Sequence, residues 1–284
     1  MKAENVRIQM VSLNSAFINE LDGILNKLTY FHRSVYYNRM QSIKIKTKST
    51  PKALQNMHKT IYNVFKTESE ILQSYFESLG LFDLVYYMDD VEYFFNEALH
   101  VWMRFEIGLS TLRNGGLSNN ILYYIDNASK SINEDFLYNY YATSSRGKNF
   151  DVCARAECDY YHHFLQILTK MYQYRFDEIE TSVIRQLLII ITLQESCKRK
   201  SEAIRIIDEH KKDLFVSLYK YYKNNDIDYA SRLGDLICIT SEYQKLITLY
   251  NELKSIMDIN GIWPMKWKWK WVSEKKLEVA MQFN

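Results

Sequence analysis

Apolar residues recur at three- and four-residue steps along most of this chain, and the segments they mark predict helices. Phe17, Ile18, Leu21, Ile24, Leu25, Leu28 and Phe31 trace one face of an amphipathic helix over 16–36. The period is lost over 41–51, where lysines alternate with β-branched residues, so a loop is expected there. Thr50-Pro51 then supplies a cap and a first-turn proline for a second helix. Its broad apolar face carries Met57, Ile61, Phe65, Leu72, Tyr75, Phe76 and Leu79. From 91 to 107 apolar residues cover most sides, the pattern of an interior helix. A polar loop is read over 142–151, followed by helices over 160–174, 178–193 and 201–222. The clearest repeat begins near Arg232, where Leu236, Ile239, Tyr243, Leu246, Tyr250, Leu253 and Met257 alternate three- and four-residue steps. That seam suits packing within the domain or a dimer surface, and spacing alone does not separate the two.

Two segments break the helical pattern. A turn cluster over 114–120 precedes the apolar run 121–125 and Asp126-Asn127, which predicts a short β hairpin, the one strand signal in the chain. Near the end, 262–271 alternates tryptophan with lysine at period two, so Trp267, Trp269 and Trp271 share one side of an extended segment. Such a segment covers an apolar groove or binds a partner or membrane surface; folding back onto the domain is the expectation.

With 284 residues, 47% hydrophobic, the chain buries one substantial core, and two prolines and eight glycines leave few places where helices must stop. A single all-α domain is expected over 1–284, with its core at about 15–260. Thirty-six basic and 34 acidic residues are mixed along the chain, so the net charge of +2 creates no field for phosphate backbones and no direct DNA contact is expected. Cys153, Cys158, Cys197 and Cys238 are scattered as free thiols of a reducing compartment. The first residues lack the apolar run of a signal peptide. The most apolar stretch, 187–193, is far shorter than the about 20 residues that span a bilayer. The composition thus points to a soluble intracellular protein without a membrane span.

Candidate chemistry is sparse. There is no glycine-rich phosphate cradle, His-Glu-x-x-His pair or Gly-x-Ser-x-Gly elbow. His162-His163 lies near Cys153 and Cys158, yet adjacent helical histidines point about 100° apart and no Cys-x-x-Cys pair supports them. No enzyme, metal or cofactor is expected. Asp89-Asp90 reads as solvated or capping rather than as an acid/base pair.

The run Ser78-Leu79-Gly80-Leu81-Phe82-Asp83-Leu84 with Asp89-Asp90-Val91-Glu92-Tyr93-Phe94-Phe95 resembles the signature of nuclear hormone receptor ligand-binding domains. Asp90 stands for the usual glutamine, and Phe94-Phe95 for paired leucines. Trp102-Met103-Arg104-Phe105-Glu106, Thr111-Leu112-Arg113-Asn114-Gly115-Gly116 and Tyr123-Tyr124-Ile125-Asp126 look like the fifth helix and hairpin of divergent nematode members. The resemblance spans about 15–260 and implies a three-layer antiparallel helical sandwich with one short β hairpin. It also implies a pocket for a lipophilic ligand, candidates being Met57, Ile61, Phe65, Trp102, Met103, Phe105 and Tyr123, each of which plain core packing equally explains. It implies a structural pair, Glu180 with Arg232, and a dimer through the long helix that Arg232 opens, with Leu236, Tyr243, Leu246, Tyr250 and Leu253 as seam candidates.

Departures from the family pattern fall in the coregulator groove. Glu77 occupies the position of a lysine that grips coactivator helices, Asn96 a second basic position, and Glu278 the glutamate of the terminal activation helix. Lys275-Lys276 replace the apolar pair before that glutamate, so the activation helix is degraded or absent. Ile184-Arg185-Gln186-Leu187-Leu188 resembles a coregulator box but lies in the most apolar helix, as core would. The four cysteines do not match the two four-cysteine zinc sites of a receptor's DNA-binding half. The resulting expectation is a nuclear, or else cytoplasmic, transcription-regulating domain that binds a lipophilic ligand, coregulators and a dimer partner. The competing reading is a ligand-free helical adaptor or scaffold.

Overall fold

A computed structural model of the chain describes residues 23–40, 51–88, 90–123, 129–144, 147–197, 200–262, 265–273 and 276–283. The described helices are α1 (Gly23–Met40), α2 (Pro51–Ser78), α3 (Val91–Arg113), α4 (Glu134–Ser144), α5 (Phe150–Tyr174), α6 (Glu178–Cys197), α7 (Ser201–Asn224) and α8 (Tyr229–Ile259). Residues 16–22 and the expected loop over 41–50 lie outside the described residues.

The helices form three layers. α3 and α6 lie side by side in the middle; α1 and α2 cover one side of them, and α5 and α8 the other. α7 packs against α1, α6 and α8. This all-α antiparallel sandwich follows from the residue pattern. α3 is buried on nearly every side, with Phe94, Phe95, Leu99, Trp102, Phe105 and Ile107 inside. Asp90 starts it by accepting a 2.8 Å hydrogen bond from the Tyr93 N–H. α2 ends where Gly80, at φ +70°, turns the chain so that the Leu81 N–H reaches the Phe76 carbonyl at 3.0 Å.

Two hairpins accompany the helices. β1 (Ile121–Tyr123) pairs antiparallel with β2 (Ser129–Ser131), so a hairpin exists in the expected region. The 114–120 cluster is not its turn. Asn114 caps α3 through its side chain, 2.8 Å from the Ser110 carbonyl, and Gly116–Asn119 forms a 3-10 turn leading into β1. Gly116 is required there, because an added Cβ would lie 2.2 Å from the Ile121 carbonyl oxygen.

The expectation of a single hairpin is corrected at the C-terminus. β3 (Met265–Ser273) pairs antiparallel with β4 (Lys276–Phe283). The segment where the activation helix was expected to be degraded or absent is a strand. Its apolar residues Leu277, Val279, Met281 and Phe283 recur at period two, which suits a strand and not a helix. The register sets Trp267, Trp269 and Trp271 opposite Met281, Val279 and Leu277. β4 lies beside α2 and β3 beside α3, so the tail folds back onto the domain. No described helix is long and apolar enough to cross a membrane.

Candidate functional site

Polar side chains converge with apolar walls in a crevice between α3, α5 and α8, lined by Glu97, His100, Arg104, Tyr160, Tyr243 and Tyr250 among others. His100 and Arg104 stand one turn apart on α3, so they share a face of that helix. The Arg104 guanidinium carbon sits 5.2 Å from the Tyr160 ring centroid, 5.8 Å from Tyr161 and 5.0 Å from Tyr250. Three phenol rings thus stabilise one cation through their π faces. His100 stacks 4.8 Å from Tyr250, and Phe65 of α2 meets its ring edge-on at 6.3 Å.

Electrostatics follow from burial. His100 is held neutral, its pKa pushed down to about 3 by burial and then by the charges of Arg104 and Lys254. Burial raises the Glu97 carboxyl above its usual range, against the pull of Lys254. The crevice offers about 10 Å³, room for about one water. A larger, open crevice of about 430 Å³ runs between α5 and α8, where Glu242 bridges Lys170 at 3.3 Å and Lys245 at 3.4 Å. The larger crevice is open to solvent, whereas the smaller one is where a buried histidine, an arginine and tyrosine rings converge.

The sequence candidates fall in different places. Trp102 is buried away from the crevice: its indole N–H donates to Glu68 at 2.8 Å, and its ring packs against Tyr75 and Phe31. Met103 and Phe105 are likewise buried, and Phe105 touches Tyr243 with centroids 5.7 Å apart. Phe65 borders the crevice through His100, while Tyr123 is half-buried on β1 with its N–H bonded to the Thr111 hydroxyl at 3.0 Å. Met57 and Ile61 lie on α2, but their side chains are outside the described residues.

Glu77 is exposed at the end of α2 and Asn96 half-buried in the second turn of α3; the Glu278 side chain is outside the described residues. Leu236, Tyr243, Leu246, Tyr250 and Leu253 are all buried. Their seam is closed by α5 and α6 of the same chain, so of the two uses the heptads allowed, packing within the domain is the one realised. The coregulator-like stretch at 184–188 is core, with Ile184, Leu187 and Leu188 buried.

Glu180 and Arg232 meet in a bidentate pair, Nε to Oε1 at 2.8 Å and Nη2 to Oε2 at 2.5 Å. Arg232 also donates to the Tyr174 carbonyl at 2.9 Å, tying the start of α8 to the α5–α6 turn. Asp177 and Glu180 cap α6 reciprocally: the Asp177 N–H reaches Glu180 at 2.9 Å and the Glu180 N–H reaches Asp177 at 2.8 Å. Sequence reasoning missed a second ion pair, Arg185 with Glu106, at 2.6 Å in the middle layer. It also missed His100 and Arg104, whose signal is two basic residues one turn apart inside a largely buried helix.

The sequence profile of the ligand-binding domain of nuclear hormone receptor matches residues 87–260, more than half of the chain and every helix from α3 to α8. No curated protein matches the chain.

Proposed function

Because this chain belongs to the family of nuclear hormone receptor ligand-binding domains, we propose that it regulates transcription by binding a lipophilic small molecule and passing its occupancy to coregulators and a dimer partner. The observation that carries the ligand is the crevice, where His100, Arg104 and three tyrosines interrupt apolar walls on α3, α5 and α8. Apolar walls with a few convergent polar groups are the usual lining of a small-molecule site, and the crevice, with room for about one water, would have to open to admit such a ligand.

The partner surfaces differ from the family pattern in chemistry. An acid at Glu77 repels the carbonyl end of a coactivator helix, which a lysine there would attract. Coregulators that avoid that grip, corepressors among them, suit this surface better. With the heptad seam occupied, a dimer would use the outer faces of α7 and α8, where Val216, Tyr219 and Ile237 are exposed. The ligand-free scaffold is the second reading, favoured by the dense packing around Trp102.

Native mass spectrometry of the purified chain, gentle and then denaturing, tests both. The expected result is a lipid-sized mass released on denaturation, together with a dimer peak. A bare monomer that takes up no added lipid would favour the scaffold.

A further inference from the structure

We propose that Tyr75, Gln186 and His210 form a proton-operated switch, in which protonation of His210 reverses the direction of their hydrogen bonds and loosens α7 from the middle layer. The switch needs no ligand and stands apart from the crevice.

Geometry is the first argument. The three side chains come from α2, α6 and α7 and form one chain of hydrogen bonds. Tyr75 and Gln186 are fully buried, whereas His210 is half-buried. The Tyr75 hydroxyl donates to Gln186 Oε1 at 2.5 Å, and Gln186 Nε2 lies 2.7 Å from His210 Nε2. An amide nitrogen only donates, so His210 Nε2 accepts, which makes the ring neutral with its proton on Nδ1. Among the described residues, Gln186 Oε1 is the one acceptor of the Tyr75 hydroxyl. That need of the buried phenol sets the direction of the whole chain.

Protonation is the second. An imidazolium carries a hydrogen on Nε2 as well, and here it would face the amide hydrogens of Gln186. Turning the amide over relieves the clash, because Oε1 then accepts from His210. It also sets the amide nitrogen against Tyr75 and takes the acceptor from the phenol, a costly loss in the core. Tyr75 cannot answer by ionising: burial raises its pKa against the pull of Arg185, and Glu106 raises it further. The surroundings of His210 act in the same sense. Burial lowers its pKa; Asp213, one turn on along α7, draws it back up, and Lys27 of α1 lowers it further. A histidine held below its ordinary 6.5 in the fold costs nothing above that value, and stability is lost as pH falls through it. The loss falls on the contact between α6 and α7.

Proton NMR of the full chain from about pH 4.5 to 8 tests the switch, the His210 ring signal being the one missing from His210→Asn. In the unmodified chain His210 is expected to titrate below 6.5. Tyr75→Phe removes the phenol that fixes the amide, so Gln186 can turn over without loss. His210 should then bind its proton about tenfold tighter, a rise of about one pKa unit, although Tyr75 reaches it only through Gln186. Amide hydrogen exchange, corrected for its intrinsic dependence on pH, should be faster in α7 at pH 5 than at pH 7, and His210→Asn should lose that difference. If Tyr75→Phe does not fold, the exchange comparison decides alone. Equal His210 pKa values in the unmodified chain and folded Tyr75→Phe overturn the coupling through Gln186. A His210 that titrates at or above 6.5 in the unmodified chain, or an α7 that exchanges alike at both pH values, overturns the switch.

Discussion

Replacing Arg185 with alanine is expected to lower the free energy of unfolding by about 3–5 kcal/mol, the usual cost of stranding one member of a buried ion pair. The Arg185 and Glu106 side chains are only 4% and 2% exposed. Arg185 reaches Glu106 through Nε at 2.8 Å and Nη2 at 2.6 Å, and Nη2 also lies 3.0 Å from His32 Nδ1. Its guanidinium stacks 5.2 Å from the Trp102 ring and 5.4 Å from Phe105. One residue thus joins α1, α3 and α6, and its removal leaves the Glu106 charge in the core without its cation. Urea denaturation of Arg185→Ala, Glu106→Leu and the pair Glu106→Leu/Arg185→Met checks this. The pair should recover most of the loss, since packed apolar side chains replace buried ion pairs at little cost. A single-variant loss below about 1 kcal/mol, typical of a solvated pair, would contradict the burial.

Arg232→Met is expected to cost about 2–4 kcal/mol, somewhat less because Arg232 is 21% exposed. The loss should also depend on pH. Burial, and then the neighbouring Glu180 charge, push the Asp177 carboxyl up to about 6 from its ordinary 3.8. An acid whose pKa is raised in the fold destabilises the fold fully above that value, and the penalty disappears as pH falls toward the unfolded pKa. Removing the Arg232 cation leaves Asp177 and Glu180 facing each other, so Arg232→Met should be most deficient at pH 7 to 8 and recover toward pH 5. Asp177→Asn should flatten that recovery. His100 acts in the opposite sense, because a buried neutral histidine loses stability as pH falls below its ordinary 6.5. Its contribution cancels when variant and parent are compared at each pH by denaturant midpoint. A deficit that grows toward pH 5 would contradict the role of Arg232 in offsetting the two carboxylates.

Much of the architecture was legible because burial writes itself into spacing. The run at 91–107 read as interior and is the buried centre of α3; the steps from Leu236 to Met257 read as a buried face and are one. What occupied that face was not legible, because a heptad seam has the same pattern whether the opposing helix belongs to the same chain or another. The C-terminal strand was missed for a similar reason. Period two is plain in the tryptophans, but Leu277, Val279, Met281 and Phe283 share it, and no glycine lies in the sequence between the two paired runs to mark a hairpin.

The chemistry was harder to see. Glu180 and Arg232 stood out only through the family resemblance, as they are 52 residues apart and nothing local links them. Glu106 and Arg185 are also far apart, but each is a charge flanked by apolar residues within a largely buried helix, which burial makes costly unless a partner exists. The same signal marks His100 and Arg104. Trp102 is a pocket candidate only through the resemblance, and its indole N–H finds its acceptor, Glu68, in the core.

The most direct test of the regulatory role is to fuse the chain to an unrelated DNA-binding module and measure a reporter carrying that module's site. The fusion is expected to move reporter output severalfold from that of the module alone, and Arg104→Met, expressed at the same level, to lose most of that change. Output indistinguishable from the module alone, with the fusion present and folded, would contradict a ligand-regulated transcriptional domain and leave a scaffold that has kept the fold.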